Sequence, residues 1–258
     1  MRSIETTALT KRYGDTVAVD SLDLAVPDGV VYGFLGPNGA GKTTTMRLLT
    51  SLTRPTSGSA SVAGVDVTDR AALVDHIGYL PEEPPLYDEL TAREQLTYAA
   101  GLRGLPDGPT RERTASLLDR LDLADDADTR IDTYSKGMRQ KTAFIQSLLH
   151  EPEVLFLDEP TSGLDPRAAR TIRDVIDELA DGGTTVFLST HILPVVDEHA
   201  DTVGVLSDGR LVAEGSPADL KRRADDETAG RTLEDVFLAV TSKDPAREAA
   251  ATDEADAA

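Results

Sequence analysis

Two short stretches of this chain carry residue types suited to chemistry on a phosphate group. The first reads Gly-Pro-Asn-Gly-Ala-Gly-Lys-Thr and runs from Gly36 to Thr43. Its glycines let the backbone turn tightly and bring several N–H groups close to one anion, because no Cβ blocks the approach. The second is the pair Asp158-Glu159, which directly follows an apolar run. A carboxylate in such a place can hold a metal ion or orient a water molecule.

The Gly36–Thr43 stretch fits the pattern G-x-x-x-x-G-K-[ST] of a phosphate-binding loop. An apolar run over 30–35 predicts a buried strand before it, and helical spacing over 44–52 predicts a helix after it, whose positive end faces the same anion. Lys42 would add a charge at the β- and γ-phosphates, and Thr43 would offer its hydroxyl to Mg²⁺. A glycine-rich turn without a ligand is the alternative. The predicted nucleotide contacts are Gly36, Pro37, Asn38, Gly39, Ala40, Gly41, Lys42, Thr43 and Thr44.

The Asp158-Glu159 pair ends an apolar run, 154–157, that predicts a buried strand. Phosphoryl transfer needs a metal ion to neutralise developing charge and a group that positions the attacking water. We assign the metal to Asp158 and the water to Glu159. Standing alone, such a pair could equally be a solvated turn, but the phosphate-binding loop favours the catalytic interpretation.

The elements that must position these residues alternate in type, which predicts an α/β fold. Strands are expected three times within 3–35, then at 59–67, 77–80, 154–157 and 184–189, with a hairpin around 207–209. Helices are expected at 71–76, 111–121, 136–151, 166–180, 194–200, 217–223 and 232–241. A capping box at Thr91 and Glu94 starts another helix, broken by 104–109. Because 88–150 predicts helices alone, we expect a helical subdomain inserted there.

Composition limits the classes of protein to which this chain can belong. It has 258 residues, 40% hydrophobic content, no cysteine and a formal net charge of −20. The length allows a sizeable core, and the lack of cysteine excludes disulfides and thiolate metal sites. So acidic a surface repels nucleic-acid phosphates, which argues against nucleic acid as a partner. No signal peptide or membrane-spanning apolar run stands out, so we expect a cytoplasmic location, or a place on a membrane through a partner.

The charge has two further consequences. Acidic residues number 46 against 26 basic ones, and lysine is scarce among the latter. High salt screens the mutual repulsion of such a surface, so we expect a halophilic source. The last stretch, 243–258, carries five acidic residues against one lysine and one arginine. It is predicted to be a disordered acidic tail after a domain that spans 1–242.

The order of the motifs resembles the ATP-binding subunit of an ATP-binding-cassette (ABC) transporter over about residues 3–240. Residues 36–43 match the Walker A loop of that family, and Asp158 and Glu159 match the Walker B aspartate and the catalytic glutamate. Tyr13 matches the aromatic residue that stacks on adenine, although a tyrosine packed at a strand end is the simpler explanation of that residue alone.

Three further segments are similar to the family's motifs. Residues 134–140 resemble the signature, with Ser135 and Gly137 as the implied phosphate contacts. Asp165 ends a Ser-Gly-Leu-Asp stretch that matches the loop communicating between subunits. His191 matches the switch histidine, which the resemblance implies contacts the γ-phosphate.

Two positions depart from the common family pattern. The signature has Lys136 and Met138 where Gly and Gln are usual, and Glu82 stands where a glutamine usually senses Mg²⁺. A glutamate still offers oxygen ligands. The implied Mg²⁺ ligands are Thr43, Glu82 and Asp158. These departures, with the Leu-Glu-Asp-Val-Phe segment at 233–237, resemble the branch of drug, sodium and polysaccharide exporters.

The resemblance implies a P-loop NTPase core with an N-terminal antiparallel β part and a helical subdomain at about 88–150. Two copies, as a homodimer, would meet head to tail, with each ATP between the Walker A loop of one and the signature of the other. Lys42 and Mg²⁺ would stabilise the transferring phosphoryl group, Glu159 would activate water and His191 would help align it. Hydrolysis would drive a separate transmembrane permease, docked near 82–96 at the cytoplasmic face of the membrane, in the direction of export.

Two other functions stay open at this point. One is a soluble cassette ATPase that acts on ribosomes or DNA-repair complexes, although those usually carry paired cassettes or long inserts. The other is a regulatory module that binds a nucleotide without hydrolysing it, which would be expected to lack Glu159. No residue of this chain is expected to touch the transported cargo.

Overall fold

The structure is a computed structural model that describes residues 2–223 and 232–242. Its strands are β1 Arg2–Tyr13, β2 Thr16–Pro27, β3 Val31–Leu35, β4 Ser57–Val62, β5 Val65–Asp66, β6 Ile77–Leu80, β7 Val154–Asp158, β8 Thr185–Ser189, β9 Thr202–Ser207 and β10 Arg210–Gly215. Its helices are α1 Lys42–Leu49, α2 Arg70–Leu73, α3 Ala92–Leu102, α4 Asp107–Arg120, α5 Lys136–Leu148, α6 Pro166–Asp181, α7 Leu193–His199, α8 Pro217–Arg223 and α9 Leu233–Ser242, with a 3-10 turn at Ile131–Thr133.

The smaller sheet is antiparallel, with the strand order β2-β1-β4-β5. Along β2, Leu22, Leu24 and Val26 are buried and the residues between them are exposed. This alternation is that of a sheet with one face on the core and one in solvent. It agrees with the antiparallel N-terminal part predicted from the sequence.

The larger sheet positions the glycine loop 36–43 and the Asp158-Glu159 pair. Its order is β10-β9-β3-β8-β7-β6, and all neighbours are parallel except the edge pair β9 and β10. Every residue of β3, β7 and β8 is buried. Because the carboxyl ends of parallel strands lie at one edge, the loop after β3 and the acidic pair at the end of β7 meet there, with β8 between them.

A cluster of aromatic side chains packs on the larger sheet below this edge. The Phe187 ring on β8 lies 5.3 Å from Tyr32, 5.0 Å from Phe34 and 5.6 Å from Phe156, measured between centroids. Such ring pairs add about 0.5–1.5 kcal/mol each beyond the area they bury. The Tyr32 hydroxyl also donates to Glu214 Oε1 at 2.6 Å, which ties β3 to β10. The strand that leads into the glycine loop is therefore held on both sides.

Between β6 and β7, the regular secondary structure consists of helices, apart from one isolated bridge. The predicted capping box starts α3: the Thr91 hydroxyl accepts from Glu94 N–H at 3.1 Å, and the Glu94 carboxylate accepts from Thr91 N–H at 2.9 Å. The apolar face of α5, including Phe144 and Ile145, packs in the same buried cluster as Leu96 of α3. In the described part of the chain, no helix has the length and apolar character of a bilayer-crossing segment.

Three local expectations were wrong. The helix expected over 71–76 ends at Leu73, and residues 74–76 form a turn. The strand expected over 59–67 is two strands, because Ala63 and Gly64 turn with φ of 50° and 76°. The helix expected from 111 begins at Asp107 and includes Pro109, since a proline in the first turn removes an N–H that has no helical partner. The tail predicted for 243–258 lies outside the described residues.

Candidate active site

The loop between β3 and α1 can be built only with glycine at two of its positions. A Cβ on Gly36 would lie 2.5 Å from the Leu206 carbonyl oxygen, and one on Gly41 would lie 2.3 Å from the Ala18 carbonyl oxygen. Gly41 also has a φ of 106°, which residues with a Cβ rarely adopt. The loop is thereby packed against β9 and β2, and it leads directly into the start of α1.

Lys42 opens α1 and folds back on the loop. Its Nζ donates to the Gly36 carbonyl at 2.6 Å and to the Pro37 carbonyl at 3.2 Å. Burial lowers the pKa of Lys42 below its ordinary value, and the carboxylates nearby act in the opposite direction. A partly desolvated ammonium interacts with an anion more strongly than one in water would.

Asp158, at the end of β7, faces the same loop. Its Oδ2 lies 3.3 Å from the Thr43 hydroxyl, and the residue is 3% exposed. Burial raises the pKa of Asp158 above its ordinary value, and the Glu159 and Glu82 carboxylates raise it further. A bound cation would relieve this crowding of negative charge. The donors are all oxygens, the type that Mg²⁺ prefers, so the residues present fit that ion.

Glu159 is held in a defined but strained position. Its φ is 50°, in the left-handed region, which costs about 1–2 kcal/mol for a residue with a Cβ. Its Oε2 accepts from the Thr190 hydroxyl at 2.9 Å, and its Oε1 accepts from the His191 backbone N–H at 2.9 Å. The His191 ring nitrogen Nδ1 lies 2.7 Å from the same Oε1. Because both carboxylate oxygens are engaged, the side chain points in one direction.

These groups line one cavity of about 570 Å³, within the range of small-molecule sites. The predicted site residues that it brings together are Gly36 to Thr44, Glu82, Asp158, Glu159 and His191. Four predicted residues lie outside its lining: Tyr13, Ser135, Gly137 and Asp165.

Each of these four has a defined place of its own. Tyr13 ends β1 and is 48% exposed, with Lys11 Nζ 4.9 Å from its ring centroid. Ser135 caps α5 by accepting from the Met138 N–H, and Gly137 lies in the first turn of that helix. Asp165 caps α6. A single copy of the chain therefore does not bring them to the cavity.

A family model described as ABC transporter matches residues 19–162, which include both the glycine loop and the acidic pair. The chain belongs to the ABC transporter family. This ABC ATPase is 45% identical over 221 residues to the daunorubicin/doxorubicin resistance ATP-binding protein DrrA of Streptomyces peucetius, covering 85% of this chain and 67% of that protein.

Two further comparisons agree. The ABC ATPase is 38% identical over 222 residues to the bacitracin transport ATP-binding protein BcrA of Enterococcus faecalis, covering 85% of this chain and 71% of that one. A solved structure described as the ATP-binding subunit of an ABC transporter matches it with a TM-score of 0.86 at 31% identity, over 92% of this chain and 99% of that chain. The predicted P-loop NTPase fold and the transporter ATPase function are thereby confirmed. As an ABC transporter ATPase, the chain binds and hydrolyses ATP and works with a transmembrane permease.

Sequence reasoning missed several residues at the site. Thr190 and Leu193 lie close to His191 in the chain and line the cavity with it, and Phe237 of α9 lines the cavity as well. Gln140, at the end of the signature, is buried beside Glu159. The segments containing Thr190, Gln140 and Phe237 were singled out in the sequence, but a motif does not indicate which of its side chains turn inward.

Proposed function

We propose that this ABC ATPase powers an exporter as a homodimer, and that the cavity residues perform its ATP hydrolysis. The main support is the convergence of Lys42, Asp158, Glu159 and His191 on one cavity beside the glycine loop. A cation, a metal-binding carboxylate and a water-orienting carboxylate are the three parts that phosphoryl transfer requires.

Each cavity residue has a separate task in this proposal. The loop N–H groups and Lys42 bind the β- and γ-phosphates. Mg²⁺, held by Thr43, Asp158 and Glu82, would neutralise charge on the phosphates. No group of three or more His, Cys, Asp or Glu side chains in 2–223 and 232–242 is arranged as a metal site, in keeping with an ion that takes its other ligands from phosphate and water. Glu159 orients the attacking water.

His191 aligns the γ-phosphate in this scheme. Its Nδ1 is engaged by Glu159, and its side chain lines the cavity and is 71% exposed. The ring nitrogen Nε2 is thus the one that would face a phosphate oxygen. The same contact couples the position of the histidine to that of the catalytic glutamate.

A second copy completes each site. Ser135 and Gly137 begin α5, a helix of 13 residues whose N–H groups and positive dipole end suit an anion. They would bind the ATP of the partner copy, with Asp165 at the boundary between the copies. Tyr13 would stack on the adenine. ATP then holds the two copies together, and hydrolysis releases them.

Export and the docking of the permease follow from the relatives and from one exposed surface. The relatives named above are a drug-resistance ATP-binding protein and a bacitracin transport ATP-binding protein.

In or near the proposed docking region 82–96, Tyr87 and Tyr98 are exposed and meet edge to face, with 5.6 Å between ring centroids. Exposed aromatic side chains are enriched at protein interfaces. We place the ABC ATPase at the cytoplasmic face of the membrane, bound through this surface, with 1–242 as one ATPase domain that contains the helical subdomain.

Co-purification tests the proposed partner. A membrane protein with several spans, encoded in the adjacent reading frame, is expected to co-purify with tagged ABC ATPase from detergent extracts. A Tyr87→Ala/Tyr98→Ala variant should retain at most about a tenth of it, since interface aromatics often contribute 2 kcal/mol or more. Val212→Ala, which truncates another exposed apolar side chain on β10, is the matched control. Retention of the partner by the tyrosine variant would exclude this docking surface.

A salt titration tests the proposed halophilic source. The melting temperature is expected to rise continuously as KCl is raised to molar concentrations, because screening relieves repulsion within a chain of net charge −20. Sorbitol at equal osmolality controls for effects other than charge. A melting temperature that does not respond to KCl would contradict the proposal.

A further inference from the structure

Gln140 contacts the main chain of the catalytic glutamate. The residue lies on α5, five positions after Ser135, and is 1% exposed. Its Nε2 donates to the Glu159 carbonyl oxygen at 3.3 Å. The Gln140 amide takes no part in the proposed reaction. Because it is buried and donates a hydrogen bond to Glu159, it is placed to hold the main chain of that residue in position.

The main chain at Glu159 is the part that needs fixing. Its φ of 50° is unfavourable for a residue with a Cβ. The Glu159 N–H donates to the Ser189 carbonyl at 2.9 Å, and the Glu159 carbonyl accepts from the Ser162 N–H at 3.0 Å as well as from Gln140. A relaxation of this peptide would rotate the Cα–Cβ bond and move the carboxylate away from Thr190 and His191.

The start of α5 also rests on the loop that follows Glu159. Lys136 Nζ donates to the Ser162 hydroxyl at 3.1 Å. A Cβ on Gly163, whose φ is 76°, would lie 2.7 Å from the Lys136 side chain, and a Cβ on Gly137 would lie 3.2 Å from Leu164. The first turns of α5 and the loop 159–164 therefore pack closely against each other.

We propose that Gln140 is a positioning residue for Glu159, and that it connects the two ATP sites of the dimer. This inference rests on the proposed function, which assigns Ser135 and Gly137 to the ATP of the partner copy. The same helix, less than two turns further on, holds the glutamate of its own copy through Gln140. ATP bound at one site thereby stabilises the active geometry of the other.

The test replaces Gln140 with Met, which has a similar size and no N–H donor. The kcat for ATP hydrolysis is expected to fall roughly tenfold, as for the loss of one hydrogen bond that supports the transition state. The ATP affinity, measured by calorimetry, and the melting temperature should stay close to those of the wild type. Gln146→Met on the same helix is the matched control, since Gln146 bonds to Gln95 rather than to Glu159. It should keep the wild-type kcat.

A second variant, Gln140→Glu, has the same shape and loses the donor when it is ionised. The inference is overturned if both variants hydrolyse ATP at the wild-type kcat. It is also overturned if ATP affinity and melting temperature fall in step with kcat, because Gln140 would then only support folding. Failure of the proposed function has a different appearance: the wild type would not hydrolyse ATP, or Glu159→Gln would hydrolyse it at the wild-type rate.

Discussion

Glu159→Gln is expected to bind ATP with nearly wild-type affinity and to hydrolyse it at least about a hundredfold more slowly, the usual cost of losing a general base. An amide has the size and shape of the carboxylate but neither its charge nor its basicity. The proposed phosphate contacts of the loop and Lys42 are untouched by this change. Because the ATP is not cleaved, the variant should also accumulate as an ATP-bound dimer.

Phosphate release and size-exclusion chromatography with ATP and Mg²⁺ measure both effects. Glu153→Gln is the matched control, because Glu153 directly precedes the same strand β7 and its side chain is exposed beside His76. The control should turn over ATP at the wild-type rate and show no trapped dimer. Full turnover by Glu159→Gln would remove Glu159 from the mechanism.

Lys42→Ala is expected to weaken ATP binding, whereas Glu159→Gln slows hydrolysis and leaves the ATP affinity nearly unchanged. Hydrogen bonds to charged groups contribute about 1.5–3 kcal/mol, so ATP should bind roughly ten- to a hundredfold more weakly. The loop geometry should survive, because it depends on Gly36 and Gly41 fitting against the Leu206 and Ala18 carbonyls. Titration calorimetry with ATP gives the dissociation constant directly.

Lys221→Ala provides the comparison for that measurement. Lys221 pairs with Asp197 on α7, and it does not line the cavity. Lys221→Ala removes one positive charge, as Lys42→Ala does, and it should leave the ATP affinity unchanged. If Lys42→Ala bound ATP as the wild type does, the assignment of the glycine loop to the phosphates would be wrong.

Several features that depend on neighbouring residues were predicted correctly from the sequence. The glycine loop, the capping box at Thr91 and Glu94 and the buried strand before Asp158 are all contiguous patterns, since hydrogen bonds and steric fit within a few residues decide them. The prediction of one strand over 59–67 failed because Ala63 and Gly64 turn the chain within it. The two-residue strand β5 exists only through its pairing with β4, so the pattern over 59–67 could not reveal the turn within it.

The residues of the site, in contrast, meet through contacts between distant parts of the chain. Thr43 and Asp158 are 115 positions apart, and they meet because β8 alone separates β3 from β7 in the sheet. The contact of Gln140 with Glu159 and the approach of Phe237 to the cavity likewise depend on how helices pack over that sheet. No spacing in the chain encodes either one.

By itself, therefore, the sequence determined membership in a family of ATPases, and it predicted the chemistry of the site: a loop for phosphates and an acidic pair for a metal ion and water. The tertiary structure decided which side chains share the cavity and how Glu159 is held in a strained backbone conformation. The physical reason is that local backbone geometry follows from adjacent residues, whereas the meeting of distant segments depends on strand order and on the packing of the whole core.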